Sequence, residues 1–320
     1  MKVALVGYGN VGHAFARLLA AKHAAFPFRI VAIHTARHGT AFEPKGLPID
    51  PAFGPPAETT ADFLHRAAAD VAIEVTPLNP ETGEPALSHI RAAIACGMHV
   101  ITANKGPIAH GYAGLRDQAN RAQVQFRFES AVMDGTPIFN NVRNNLPGVN
   151  VLGFTGVLNS TSKLVIGAMQ QARSMQEGVR EAQALGVAES DVTHDLDGWD
   201  SAAKTAALAN VLMDAHVRPQ DVFRRGLSDL TVKRALELKA ERKTVSLVSR
   251  AFLDAGQIRL QVLPEVLDET DLLAVNGGTS NVLLLHTDLM GTIGTVSIAP
   301  GVEQTAYGLF SDLVDIARSL

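Results

Sequence analysis

The chain opens with a change of period. Val3, Ala4, Leu5 and Val6 form an unbroken apolar run closed by Gly7, which predicts a strand buried on both faces. From Val11 onward the apolar positions recur at helical spacing, through Phe15, Leu18 and Leu19. The alternation then repeats. FRIVAIHT (28–35) and ADVAIEVTP (69–77) read as strands, ALSHIRAAIACG as a helix and HVITAN as a further strand. Such an order predicts an α/β fold with a Rossmann-type, doubly wound parallel sheet. VQFRFESAVMDGTPIF (124–139) reads as a strand and a glycine-containing bend, and after it the regular alternation stops. Residues 150–161 read as a strand and 162–186 as one or two helices with a break near Gly178. A further helix starts near Gly198 or Trp199, and the stretch 244–301 alternates like antiparallel strands and hairpins. The closing segment 303–320 places Tyr307, Phe310, Leu313 and Ile316 on one stripe and predicts an amphipathic helix.

Gly7, Gly9 and Gly12 stand at G-x-G-x-x-G spacing around Asn10 and Val11. With 27 glycines in 320 residues, chance supplies roughly 0.2 such spacings per chain, so the strand before and the helix after carry the assignment. Together they predict a turn that offers backbone N–H groups and the positive end of a helix to the phosphates of a dinucleotide. No Asp or Glu occurs from Met1 to Phe42, so the usual partner of a ribose 2′-hydroxyl is missing. Thr35, Arg37 and His38 stand there instead, which favours NADP over NAD; a solvated loop arginine is the plainer reading. Thr76 and the pair Asn104 and Lys105 fall at the carboxyl ends of predicted strands, where such sheets bind ligands. Lys105 equally suits a solvated loop.

The length suggests two domains. We expect a dinucleotide-binding domain over 1–130, with helix 302–320 packing back on it, and a second α+β domain over 131–301. The net charge of -4 and the lack of a basic run argue against nucleic acid as a partner. No apolar run is long enough to cross a membrane. Cys96 is the single cysteine, expected as a small core residue in a reducing, cytoplasmic setting.

DLDGWDSAAK (195–204) adds chemistry. Asp200 suits the first turn of a helix, and Lys204 lies four residues on, on the same face. A surface ion pair there contributes about 0.5 kcal/mol and nothing more. The charge-poor run AAKTAALANVLM favours a partly dry site instead, where desolvation lowers a lysine's pKa and makes it a proton acceptor.

Several blocks resemble the homoserine dehydrogenase family. EVTPLNPETGEPALSHIRAAIACGMHVITANKGPIA is similar to its long signature ending T-A-N-K-G-P, and ESAVMDGTPIF to its E-A-[ST]-V-x-x-G-x-P segment. EAQALGVAESDVTHDLDGWDSAAK resembles its most diagnostic stretch, and TDLMG and EQTAYGLFSDL its closing strand and helix. The resemblance implies NAD(P)-linked interconversion of L-homoserine and L-aspartate 4-semialdehyde. It implies Lys204 as the proton-transferring lysine and Lys105 as the lysine at the cofactor and substrate. Glu189 and Asp200, with Asp195 close by, would hold the substrate ammonium, and Asn159 and Thr161 would line the same site. Gly186 and Gly301 fall in segments near the cofactor. The backbone carbonyls of Glu129, Val132, Asp134 and Thr136 match a monovalent-cation site, such as one for Na+. A homodimer is implied too.

The chain departs from the family where NSTSK (159–163) replaces N-G-T-T-N, where Val187 replaces a tyrosine, and where APGVEQ replaces a glycine-richer loop. A pocket that has lost one polar partner can change its specificity. A related dehydrogenase for another small amino or hydroxy acid, or a non-catalytic dinucleotide sensor, are the alternatives.

Overall fold

Six short apolar runs build the first sheet: β1 (Lys2–Val6), β2 (Arg29–Thr35), β3 (Gly39–Phe42), β4 (Val71–Glu74), β5 (His99–Thr102) and β6 (Phe126–Arg127). In the computed structural model, which describes residues 1–185, 188, 191–274 and 278–320, their order is β3-β2-β1-β4-β5-β6. All neighbours are parallel except the edge strand β3, which runs antiparallel to β2. Chain order reverses between β1 and β4, and the carboxyl ends of these two strands flank the crevice in which such sheets bind ligands. Crossovers are made by α1 (Asn10–Lys22), α2 (Thr60–Ala67), α3 (Ala86–Ala95) and α4 (Lys105–Arg121); α5 (Phe139–Asn145) follows. The chain divides into two compact units, Met1–Asn140 with Gly301–Leu320, and Asn141–Pro300.

The second unit has its own six-stranded sheet. It comprises β7 (Val151–Val157), β8 (Phe223–Arg224), β9 (Lys243–Asp254), β10 (Gln257–Asp268), β11 (Asn281–Thr287) and β12 (Thr292–Ser297), in the order β12-β11-β7-β9-β10-β8. Neighbours are antiparallel, apart from the short parallel pairing of β8 with β10. Its helices are α6 (Ser160–Met169), α7 (Met175–Ala184), α8 (Thr193–Leu196), α9 (Trp199–Leu212) and α10 (Val232–Ala240). Ile166, Leu227 and Leu238 pack on Val245 and Leu247, so α6 and α10 lie against the β9 face. The alanines of α9 let that helix approach the sheet closely. From Ser201 to Asn210 every residue is buried except Lys204.

The last helix, α11 (Val302–Arg318), belongs to the first unit and packs along α1. Its buried stripe is Ala306, Leu309, Phe310, Leu313 and Ile316. Tyr307, expected on that stripe, is 57% exposed.

Two more expectations change. The break between α6 and α7 lies at residues 170–174, where Ser174 caps α7. Gly178 sits inside α7, and a Cβ there would stand 2.8 Å from Val165 Cα, so this glycine permits two helices to touch. Cys96 is half-buried, not a core residue, and stands as the C-cap of α3.

Candidate active site

The glycine turn after β1 is shaped by contact on one side and space on the other. Gly7 has φ +100°, and a Cβ on it would lie 2.5 Å from the Val75 carbonyl oxygen. Only glycine allows β1 and the chain after β4 to meet this closely. Gly9, the N-cap of α1, has nothing within 4 Å of a would-be Cβ. Asn10 and Val11 open the helix, and its first turn carries no acidic residue. Open backbone at a helix N-terminus without a competing carboxylate fits the pyrophosphate of a dinucleotide. A Cβ on Gly12 would stand 3.0 Å from the edge of the Tyr8 ring, so the glycine leaves room for that side chain.

Thr35 is used internally. Its hydroxyl accepts from the His38 N–H at 2.8 Å and donates to the Gly39 carbonyl at 3.4 Å, which shapes the β2–β3 turn. Arg37 and His38 are exposed beyond it.

At the ends of β4 and β5 stands a carboxylate that the apolar pattern conceals. Glu74 is 2% exposed and accepts from the Thr76 N–H at 2.8 Å, from the Thr76 hydroxyl, and from the Thr102 hydroxyl at 2.7 Å. Burial pushes its pKa up, against the pull of these hydrogen bonds. The network extends to Asn104, whose N–H donates to Thr102 Oγ1 at 2.9 Å and whose amide donates to the Thr76 carbonyl at 3.3 Å. Asn104 also caps α4 by accepting from the Gly106 N–H at 3.0 Å. Thr76, Asn104 and the half-buried Lys105 at the start of α4 are thus fixed on one scaffold.

The segment from Glu129 to Thr136 is held from both sides. The Glu129 carboxylate accepts the N–H groups of Ile138 and Phe139, at 2.6 and 2.9 Å. Fully buried Asp312 of α11 accepts from the Glu129 N–H at 2.8 Å and from the Asn140 side chain at 2.9 Å. Asp134 and Gly135 take positive φ, and Val132 lies buried between them and Glu129. Among the described residues no cluster of three or more His, Cys, Asp or Glu is arranged to hold a metal. Gly301 is the N-cap of α11, its N–H donating to Gln304 at 2.9 Å.

In the second unit the predicted helix pair closes into a compact constellation. Lys204 Nζ lies 3.2 Å from Asp200 Oδ2, with side chains 16% and 15% exposed, and donates to the Leu158 carbonyl at 2.6 Å. The Asn159 amide donates to Asp195 at 2.6 Å and to Asp200 at 3.0 Å. Its oxygen accepts from the Ser162 N–H at 2.7 Å and caps α6. Thr161 is buried, with its hydroxyl also bonded to Asp195. Burial, then the neighbouring Asp200 charge, raises the Asp195 pKa, while Asn159, Lys204 and Thr161 pull it down. Two carboxylates bridged by one amide, with an ammonium beside them, can hold a cationic amine and move a proton at a nearby oxygen. Gly186 and Glu189 lie outside the described residues. Lys163, in the NSTSK segment, is held under cover with its ammonium on the Ser280 carbonyl, and burial lowers its pKa to about 8.

Comparison with known proteins bears on this arrangement. Residues 7–129 match the family model for the homoserine dehydrogenase NAD-binding domain, and residues 137–314 match that for homoserine dehydrogenase itself. The chain belongs to the homoserine dehydrogenase family. An NAD(+)-dependent homoserine dehydrogenase of Pseudomonas canavaninivorans is 34% identical over 99% of this chain and 96% of its own. A homoserine dehydrogenase of Methanocaldococcus jannaschii is 33% identical, over 100% and 99%. The solved homoserine dehydrogenase of Thermoplasma acidophilum superposes with a TM-score of 0.83 at 26% identity, covering 99% of each chain. As a family member the chain is an oxidoreductase acting on a CH–OH group with a nicotinamide dinucleotide.

Glu74, Asp312 and Lys163 were not singled out as buried groups by pattern. Each had the same signal, one charged residue inside an apolar or helical run: AIEV, LFSDLV and TSKLVI.

Proposed function

We propose that the chain interconverts L-homoserine and L-aspartate 4-semialdehyde, with Lys204 as the acid/base. The observation that carries this reading is the placement of Lys204 as the single incompletely buried residue of 201–210, beside Asp200 and the Leu158 carbonyl. Asp195 and Asp200, with Glu189, receive the substrate ammonium, and Asn159 and Thr161 keep the two aspartates at a fixed spacing. In oxidation Lys204 takes the proton of the substrate hydroxyl; in reduction, protonated, it gives the proton back. The dinucleotide, when bound, supplies the ring that accepts or returns the hydride. Gly7, Gly9, Asn10, Val11 and Gly12 hold its pyrophosphate. Thr76, Asn104 and Lys105 serve the same ligand and the substrate from the ends of β4 and β5, with Gly186 and Gly301 contributing backbone.

We assign an NADP preference to Arg37, with His38 beside it, since both stand exposed past β2 with no acid nearby in sequence. Thr35 shapes their turn. A monovalent cation such as Na+ is assigned to the carbonyls of Glu129, Val132, Asp134 and Thr136, whose backbone is pinned by Asp312. Exposed apolar side chains on the second unit's strands, among them Phe252, Val266 and Val296, support a homodimer. We place this small-molecule enzyme in the cytoplasm, on the strength of its single cysteine. Among the described residues no helix is long and apolar enough to cross a membrane.

The test is reduced-cofactor formation at alkaline pH from L-homoserine with NADP or NAD, beside Lys204→Ala and Arg37→Asp. Turnover abolished by the first and a cofactor ratio reversed by the second are expected. Undiminished turnover in Lys204→Ala refutes the acid/base role, and an unmoved ratio refutes the role of Arg37.

A further inference from the structure

The turn that carries Asp195 and Asp200 is not held by α8 and α9 alone. The segment Arg224–Leu227 crosses beneath it. The Leu227 N–H donates to the Leu196 carbonyl at 2.9 Å, and the Arg225 N–H donates to the Val262 carbonyl of β10 at 2.9 Å. Gly226 lies so close that a Cβ on it would overlap the Leu196 carbonyl oxygen and stand 2.6 Å from Asp197 Cα. Gly198, the N-cap of α9 at φ +80°, sits over the same segment, its would-be Cβ 3.4 Å from Val262 and 3.9 Å from the Arg225 carbonyl. The Arg224 guanidinium carbon lies 3.5 Å over the ring of Trp199, the first residue of α9 and the neighbour of Asp200. A strap anchored on β10 by sheet pairing therefore grips both the end of α8, which bears Asp195, and the start of α9, which bears Asp200 and Lys204.

We propose that the strap Arg224–Leu227 is a positioning element for the candidate active site, Gly226 setting the spacing of Asp195 and Asp200 from below and the Arg224–Trp199 stack fixing the start of α9. The inference rests on the reading of those aspartates as the ammonium-binding pair. It deepens that reading with residues that touch no substrate. A methyl group at Gly226 forces the Asp197 backbone away by a few tenths of an ångström to about 1 Å, and displacements of that order at a reacting site cost about 10²-fold. The stack adds a smaller, graded effect, since an arginine laid on an indole is a modest attraction that lysine partly reproduces.

The experiment uses the full chain with Gly226→Ala, Arg224→Met and Arg224→Lys. For each, kcat and KM are measured for L-homoserine and for the dinucleotide, together with the Asp195 titration by carboxyl 13C NMR. Gly226→Ala is expected to lower kcat/KM for homoserine by about 10²-fold while dinucleotide affinity stays within about twofold. Because the Asp195 midpoint depends on its spacing from Asp200 and Asn159, it moves as well. Arg224→Met loses several-fold in kcat/KM, and Arg224→Lys recovers part of it. Folded Gly226→Ala and Arg224→Met with wild-type kcat/KM and an unmoved Asp195 midpoint overturn the proposal. Should Gly226→Ala not fold, the Met and Lys pair decides alone. Should wild type leave homoserine untouched, the ammonium-binding reading fails, and the midpoint in the variants still decides whether the strap sets the aspartate spacing.

Discussion

Asn159 separates two functions that share one side chain. Its oxygen caps α6 through the Ser162 N–H, and its amide bridges Asp195 and Asp200. Asn159→Ala removes both: about 1 kcal/mol for the cap, plus two hydrogen bonds to carboxylates whose partial exposure lets water replace them in part, for a total of about 3 kcal/mol. Asn159→Asp keeps the cap acceptor and destroys the bridge. A third carboxylate then stands roughly 3 Å from the other two, and like charges at that distance repel by about 5 kcal/mol at an effective dielectric near 20. One of the three must take a proton at neutral pH. Asp195 serves an ammonium only when ionised, so a higher pKa moves the acid limb of the homoserine kcat/KM profile to higher pH. Initial rates of cofactor reduction across about pH 6 to 10, with urea unfolding of each variant, test this. Asn159→Ala and Asn159→Asp should both unfold at lower urea than wild type, the Asp variant increasingly so as pH rises above the ordinary carboxylate range, and both should lose about 10²-fold in kcat/KM. An Asp variant with wild-type kcat/KM and an unmoved acid limb refutes the bridging argument.

Glu74→Gln tests the carboxylate at the β4 end. A folded pKa raised by burial means the group's stabilising contribution is full below its unfolded value and is lost as pH rises through the folded one, by about 1.4 kcal/mol for each pH unit that separates the two values. Wild type should therefore lose stability against Glu74→Gln as pH rises above the ordinary carboxylate range in urea unfolding; a constant difference sinks the idea. Reductively methylated protein should show a lysine 13C resonance titrating at about 8 that is absent in Lys163→Arg; a spectrum in which Lys163→Arg removes no such resonance contradicts the burial of that amine. Gly178→Ala adds about 1 kcal/mol of helix propensity but drives a methyl into Val165 and Ala168, at a cost of about 1–3 kcal/mol. Net destabilisation is expected, and a stabilised variant would mean that α6 and α7 part easily.

The parts of this molecule that depend on local spacing could be read from its letters. The period change at Gly7, the strand ends at Thr76 and Asn104, and the i,i+4 relation of Asp200 and Lys204 are all properties of neighbouring residues. What escaped depends on encounters distant in sequence. Gly178 looked like a helix breaker because glycine is intrinsically poor in helices, while its actual use is contact with Val165, visible only once α6 and α7 are paired. Tyr307 fitted the stripe by spacing, and the true stripe is rotated by the way α11 lies on α1. Glu74 bonds Thr76 two residues on, but its link to Thr102 spans 28 residues and that of Asp312 to Glu129 spans 183, so a lone charge in an apolar run does not say which partners hold it. Asn159 was placed in the site by family resemblance, and its dual role as cap and bridge emerges only with Asp195 and Asp200 folded against it.

The return of α11 to the first unit has a consequence for synthesis. Leu309, Phe310, Leu313 and Ile316 complete the apolar layer on α1, and Asp312 satisfies the Glu129 N–H. A ribosome delivers Met1–Asn140 first, at about 5–20 residues per second, yet that unit lacks this layer until the final helix has emerged. The second unit, Asn141–Pro300, is continuous in the chain and contains every strand of its own sheet. The unit made first is therefore the last to close, and for roughly 10 seconds or more during translation its α1 face is open to chaperones or to a neighbouring nascent chain.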